Sequence, residues 1–313
     1  MNDSLLRRAV LILGLIVWIP AVAVAQEGGD GRIKVIIDAD PAIGVPFRDV
    51  DDGLMLLVAL NSPELDILGI TTTFGNVPLD TAYEKAVELV ELTGRRDIPV
   101  LRGADRADPD GTPTEASRFI AEMAARYPGE VAVLAAGPVT NIAAALRHSP
   151  ETAGYLKEVI SLGGNVSAAN VANRQCYTDL NYGSDVESAG LFLENIDSLT
   201  VMSIQVSERF YISPRRYNRM LEVAKYGDYL RENTRMWYWM QQRAFVVWDL
   251  VALACLIHPE WFVHNEVTID YVVTPTGDPR LLPGENPQKY VTVNIPEHGG
   301  DTDAFFEWAF SRL

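Results

Sequence analysis

Asp38, Asp40, Asp51 and Asp52 fall within one short stretch, with Asp49 beside them. Carboxylates this close repel one another unless something positive lies between them. A hard divalent cation that takes oxygen ligands, Ca2+ or Mg2+, resolves the repulsion. Asp49, Asp51 and Asp52 would also complement the positive end of a helix. That simpler reading accounts for one or two acids, but not for a second pair at the end of a strand.

Four further stretches carry groups that suit a small polar ligand. Thr73-Phe74-Gly75-Asn76-Val77 puts a sharp turn and an amide after a strand, where Asn76 offers both a donor and an acceptor. Ala136-Gly137-Pro138-Val139-Thr140-Asn141 is a strand-to-helix turn whose carbonyls can ligate calcium, although Thr140 could equally cap the helix. Asn173, Asp179 and Asn181 together suit a polyol such as ribose, or a solvated loop with side chain-to-backbone turns. Trp248-Asp249 precedes an apolar run; the indole offers a flat face and Asp249 another oxygen for a cation, or else Trp248 is core and Asp249 a helix cap.

These residues must be positioned by regular elements. Residues 34–37, 65–74, 98–101, 131–136, 159–162 and 199–206 read as strands. Residues 54–60, 80–92, 116–127, 141–147 and 185–194 read as the helices between them. This alternation predicts an α/β fold, with a mostly parallel central sheet and helices on both faces. Such sheets bind ligands at the carboxyl ends of their strands, where Asp38, Asp40, Asn76, the 137–140 turn and Gly163-Gly164-Asn165 fall. The later half is less regular. Residues 226–244, 248–256 and 304–313 read as helices, the first rich in aromatics.

The chain opens with Arg7-Arg8, an apolar run over residues 9–24 and a small-x-small site at Ala23-Val24-Ala25. We read residues 1–25 as a cleaved secretory signal, 26–33 as a linker and 34–313 as one domain. The mature protein is expected to be exported, periplasmic or secreted, with no membrane association after cleavage. A formal net charge of −16 argues against nucleic acid as a partner. The two cysteines, Cys176 and Cys255, exclude a disulfide framework. Oligomeric state is left open, with a homo-oligomer allowed.

Taken in order, these motifs resemble the inosine–uridine-preferring nucleoside hydrolase family, over nearly the whole mature chain. Asp38-Ala39-Asp40-Pro41 and Asp51-Asp52 match the two halves of its opening aspartate motif. Gly75-Asn76-Val77, Gly137 to Asn141 and Gly163-Gly164-Asn165 follow in the family's order. The resemblance implies a Rossmann-like fold and calcium-dependent hydrolysis of the N-glycosidic bond of ribonucleosides. It implies one Ca2+ held by Asp40, Asp52, the Thr140 carbonyl and Asp249, with Asp40 as base. It assigns Asp51, Asn76, Asn173, Asp179 and Asn181 to the substrate's ribose.

The chain departs from the family pattern in three places. Residues 44–50 are inserted inside the aspartate motif. Asp179 stands where the family has Glu, and Trp248 where many members have a proton-donating His. None of His148, His258, His264 and His298 fits that role by motif. The Trp-Asp pair looks like the purine-specific branch, and makes Trp248 a catalytic candidate through stacking on the base. The competing readings are capture of a nucleoside without catalysis, and hydrolysis of pyrimidine or modified nucleosides.

Overall fold

Along β1 (Ile33–Ala39), Val35, Ile37 and Ala39 point to one side and Ile36 to the other, and all four are fully buried. A strand buried on both faces needs neighbours on both edges and a layer of helices above and below. The computed structural model supplies them, and describes residues 31–166, 179–274, 277, 279–283, 291–294, 297–298 and 302–313. The signal segment, Asn173 and Cys176 lie outside the described residues.

β1 pairs in parallel with β2 (Leu65–Thr72) on one edge and β4 (Val131–Ala135) on the other. β3 (Val100–Arg102) extends the sheet beyond β2, and β5 (Leu156–Leu162) and β6 (Leu199–Met202) extend it beyond β4. These six parallel strands run β6-β5-β4-β1-β2-β3. One face is covered by α1 (Asp51–Leu60), α2 (Leu79–Thr93) and a later helix over Trp248–Ile257. The other face is covered by α3 (Glu115–Arg126) and α4 (Thr140–His148), and by a helix over Val186–Asn195.

Short helices α5 (Thr152–Tyr155) and α6 (Leu180–Gly183) bracket β5, and α7 is the Val186–Asn195 helix. The strand expected over residues 199–206 is a correction: β6 stops at Met202, and residues 204–207 form the one-turn helix α8 (Ile204–Ser207). Its N–H groups turn back on the Ser203 carbonyl, so the apolar run continues as buried helix. α9 (Pro214–Val223) and α10 (Gly227–Met240) form a hairpin, stacked through Tyr217 and Tyr238 with ring centroids 3.8 Å apart. α11 is the Trp248–Ile257 helix, and α12 (Thr302–Phe310) closes the chain.

The sequence reading placed no strands after residue 257. The sheet in fact continues past β6 through β12 (Val291–Asn294), β10 (Glu266–Val273) and β11 (Pro279–Pro283), the last two antiparallel, to nine strands. Two small ribbons complete the chain, β7 (Tyr211–Ile212) with β8 (Phe245–Val246) and β9 (Phe262–Val263) with β13 (Glu297–His298). Cys255 is a free thiol buried in α11, and burial pushes its pKa up to about 12. Among the described residues, no helix is long and apolar enough to cross a membrane.

Candidate active site

Two helices present their first turns to one point. α1 begins with Asp51-Asp52 and α11 with Trp248-Asp249; apart from Trp248, which is half-buried, both helices are buried through Leu60 and Leu256. Helices apolar on all sides pack deep in the core, so the acids at their starts are carried inside. Oxygens of Asp51, Asp52 and Asp249 lie within 4.8 Å of one another. The Asp249 N–H donates to Asp51 Oδ2 at 3.3 Å. Asp49 lies just before α1, its Oδ1 accepting from the N–H groups of Val50 and Asp51 at 2.7 and 3.3 Å. The helix-end reading therefore holds for Asp49, and the pair after it serves the cluster.

Asp40 enters from the end of β1. Its N–H donates to Asp52 Oδ1 at 3.3 Å, so the two halves of the aspartate motif meet despite the insertion. Residues 44–50 are looped out: the Gly44 N–H donates to the Asn233 carbonyl on α10, and Val45 packs against Ala42, Val77 and Ala82. Asn76 ties the pair from a third element. Its N–H donates to Asp40 Oδ2 at 2.5 Å and its side-chain amide to Asp52 Oδ2 at 2.9 Å. Gly75 adopts φ +150°, and a Cβ there would fall on the Asp40 carboxylate. Only glycine lets this turn lie against the site.

Burial is the main cause of the electrostatics. It raises the Asp40 carboxyl to about 7, opposed by the Asn76 N–H and assisted by the charges of Asp51 and Asp38. Asp52 and Asp249 are held well above the usual carboxylate range by burial and by each other's neighbours, and burial also raises Asp51. No ion pair among the described residues reaches these acids. Asp40 Oδ1 and Asp249 Oδ1 are buried without a hydrogen-bond partner. An all-oxygen, all-acid, donor-poor cluster fits a hard cation and little else.

Asp38 is tied elsewhere. Its Oδ1 accepts from the Thr71 hydroxyl at 2.6 Å and the Asn141 amide at 2.8 Å. Asn141 also donates to the Thr72 carbonyl and accepts from the Ala104 N–H, so one amide joins the ends of β1, β2 and β3. Burial raises Asp38 to about 6. The Thr140 hydroxyl donates to Asp185, the cap of α7, at 2.8 Å. Within the 136–141 turn it is Gly137 that lies against Asp40: a Cβ on Gly137 would sit 3.2 Å from Asp40 Oδ1.

A cavity of about 130 Å3 is lined by Leu162, Gly163, Asp179, Leu180, Asn181, Ile204 and by Trp248, the residue before Asp249. It brings Asp179 and Asn181 together with the indole. Both polar groups also hold backbone. Asp179 accepts from the Gly164 and Tyr182 N–H groups at 2.6 and 3.1 Å. The Asn181 amide donates to the carbonyls of Ala136 and Leu162, at the ends of β4 and β5. Among the described residues no histidine lines this cavity; His148 meets the Gly111 carbonyl and His258 stacks on Trp261. Sequence reasoning missed the Asn141 knot, the Thr140–Asp185 bond and the placement of Gly137, all of which join residues distant along the chain.

A cation-ready acid cluster and a tryptophan-walled cavity thus sit at the carboxyl ends of parallel strands. The chain belongs to the family of inosine-uridine preferring nucleoside hydrolases, whose model matches residues 35–306. It is an N-glycosyl hydrolase by that membership, and its substrate is a small nucleoside. A probable uridine nucleosidase 2 of Arabidopsis thaliana is 38% identical over 45% of this chain, a match spanning about half (52%) of that relative. A non-specific ribonucleoside hydrolase of Salmonella newport is 27% identical over 74% of this chain and 80% of its own. A solved plant nucleoside hydrolase superposes with a TM-score of 0.78 at 23% identity, covering 90% of this chain and 98% of that one, which shows the shared α/β fold.

Proposed function

We propose that this protein is a calcium-dependent, purine-preferring ribonucleoside hydrolase exported from the cell, releasing free base and ribose. The observation that carries the calcium reading is the convergence of Asp51, Asp52 and Asp249 into one buried cluster, with Asp40 tied to Asp52 through its N–H and one oxygen each of Asp40 and Asp249 left unpartnered. Asp40, Asp52 and Asp249, with the Thr140 carbonyl, would hold Ca2+. Asp51 has the geometry to join them, besides its role toward the ribose. Ca2+ held there would neutralise the acids and make a nearby water easier to deprotonate.

The protein's own groups do the rest. Asp40, whose proton affinity burial has raised, takes a proton from water as it attacks the anomeric carbon. The glycosidic bond breaks through an oxocarbenium-like state, and its electron pair leaves on the base. Asp51, Asn76, Asn173, Asp179 and Asn181 hold the sugar, with Asn181 offering its amide oxygen. Trp248 stacks on the base, which takes its proton from solvent, because an indole N–H only donates a hydrogen bond near neutral pH. Stacking on a ring that becomes cationic contributes roughly 0.5–2 kcal/mol.

The purine preference rests on Trp248 and the larger, basic face that a purine offers. The uridine nucleosidase among the relatives favours the pyrimidine reading instead. A nucleoside panel assayed for free ribose, with and without a calcium chelator, tests the function as a whole. Release of ribose excludes mere capture of the nucleoside. Trp248→Ala is expected to lose more on inosine than on uridine, chiefly in kcat. Equal losses, or a wild type that prefers uridine, would make Trp248 only a wall of the cavity.

Export rests on the leader pattern ending at Ala25. The expected result is a mature N-terminus at Gln26 in protein recovered from the periplasm or medium. Protein retained inside the cell with Met1 intact would exclude export.

A further inference from the structure

Two threonines end β2 and a third, Thr73, follows it; two of the three hydroxyls are engaged. Thr71 donates to Asp38 Oδ1 at 2.6 Å, and Thr72 to the Leu101 carbonyl at 3.0 Å. The parallel register pairs Asp38 with Thr71 and Ala39 with Thr72. The paired register ends there; Thr73 and Asp40 would form the next rung, and the Thr73 N–H still donates to the Ala39 carbonyl at 3.2 Å. At this rung, however, the hydroxyl-to-carboxylate bond of the rung below is not made. Thr73 Oγ1 is fully buried and has no partner, and neither has Asp40 Oδ1. Both side chains flank Gly137, where a Cβ would lie 2.8 Å from Thr73 Cγ2 and 3.2 Å from Asp40 Oδ1.

An unpaired buried hydroxyl is destabilising, and valine would fill the same space without that loss. A polar group kept at such a place calls for a ligand. We propose that Thr73 is a further catalytic residue, whose hydroxyl holds the attacking water together with Asp40. The proposal rests on the hydrolase reading above. As the water oxygen bonds to the anomeric carbon, one of its protons passes to Asp40. The other stays on the new hydroxyl of the sugar, hydrogen-bonded to Thr73 Oγ1. The electron pair of the broken glycosidic bond leaves with the base, which takes its proton from solvent. Thr73 thus fixes the direction of the water's lone pair, an orienting role that needs no charge.

The test compares wild type, Thr73→Val and Thr73→Ser on inosine and uridine, with calcium affinity measured by titration calorimetry and stability by thermal melting. Thr73→Val is expected to lose about 10- to 100-fold in kcat on both nucleosides. KM and calcium affinity stay within about twofold, and Tm is unchanged or higher because the unpaired hydroxyl is gone. Thr73→Ser restores most of kcat. A merely structural threonine would change Tm and leave kcat alone.

Wild-type kcat in Thr73→Val overturns the proposal and leaves the hydrolase reading standing. Loss of calcium affinity in that variant also overturns it, since the hydroxyl would then serve the cation rather than the water. A wild type inactive on every nucleoside overturns both readings. Should Thr73→Val not fold, Thr73→Ala carries the same comparison.

Discussion

Asp40→Asn is expected to lower kcat about 1,000-fold on every accepted nucleoside, within the range that general-base catalysis supplies. The amide keeps an oxygen for the cation and for the Asn76 N–H, so the turn around Gly75 should survive. What the variant lacks is a group that can take a proton. Burial and neighbouring charges bring the Asp40 carboxyl to about 7 in the cation-free protein, and a bound cation would draw it lower. The measurement is steady-state kinetics alongside calcium titration and circular dichroism. Calcium binding should weaken while the fold persists. An Asp40→Asn enzyme of near wild-type kcat would show that the proton goes elsewhere.

Removal of the cation is the second large effect. Exhaustive chelation should abolish turnover, and added Ca2+ should restore it. It should also lower Tm, by on the order of 10 °C near pH 8 at saturating calcium. The gap should narrow as pH falls, and the sign follows from linkage. Asp38, Asp40, Asp51, Asp52 and Asp249 have folded-state pKa values raised above their usual ones. The cation-free folded state therefore binds more protons than the unfolded chain, and loses stability as pH rises from the ordinary value of 3.8 through about 6 for Asp38 and about 7 for Asp40. Below that window protons take over the cation's work of neutralising the acids. Asp249→Ala should abolish the calcium effect on both turnover and Tm. Full activity after chelation, with no Tm gap at pH 8, would sink the calcium reading.

Much of this site was legible in the sequence, because its acids fall where the hydrophobic pattern changes period. Asp38-Ala39-Asp40 follows an apolar run of strand type. Asp51-Asp52 and Trp248-Asp249 each open a run too apolar for a surface helix. Such runs must be buried, so the acids at their starts go inward with them. The looping-out of residues 44–50 also follows from requiring Asp40 and Asp52 to meet.

What local spacing does not encode is partnership across the sheet. Asn141 reaches Asp38 from α4, and Asp185 reaches Thr140 from α7; neither pairing leaves a trace in the intervening sequence. The turn after β6 was missed for a different reason. Residues 203–207 stay buried as a helix, so the hydrophobic pattern shows no break there. The extension through β12, β10 and β11 was likewise not read, and β10 is only partly buried and alternates weakly along Glu266–Val273.

The bond from Asp249 to Asp51 spans 198 residues of chain. Closing so long a loop precedes any reward from the contact it makes, so the site is among the last parts of the molecule to assemble. During synthesis, the first strands and α1 leave the ribosome long before α11 exists. The nascent amino-terminal half thus carries a knot of like charge with no carboxyl-terminal partner to complete it. A chain truncated before α11 would have neither catalysis nor a reason to keep those acids inside. Ribose release can therefore serve as a reporter that the chain has been finished and folded, well beyond its use as an assay of the enzyme.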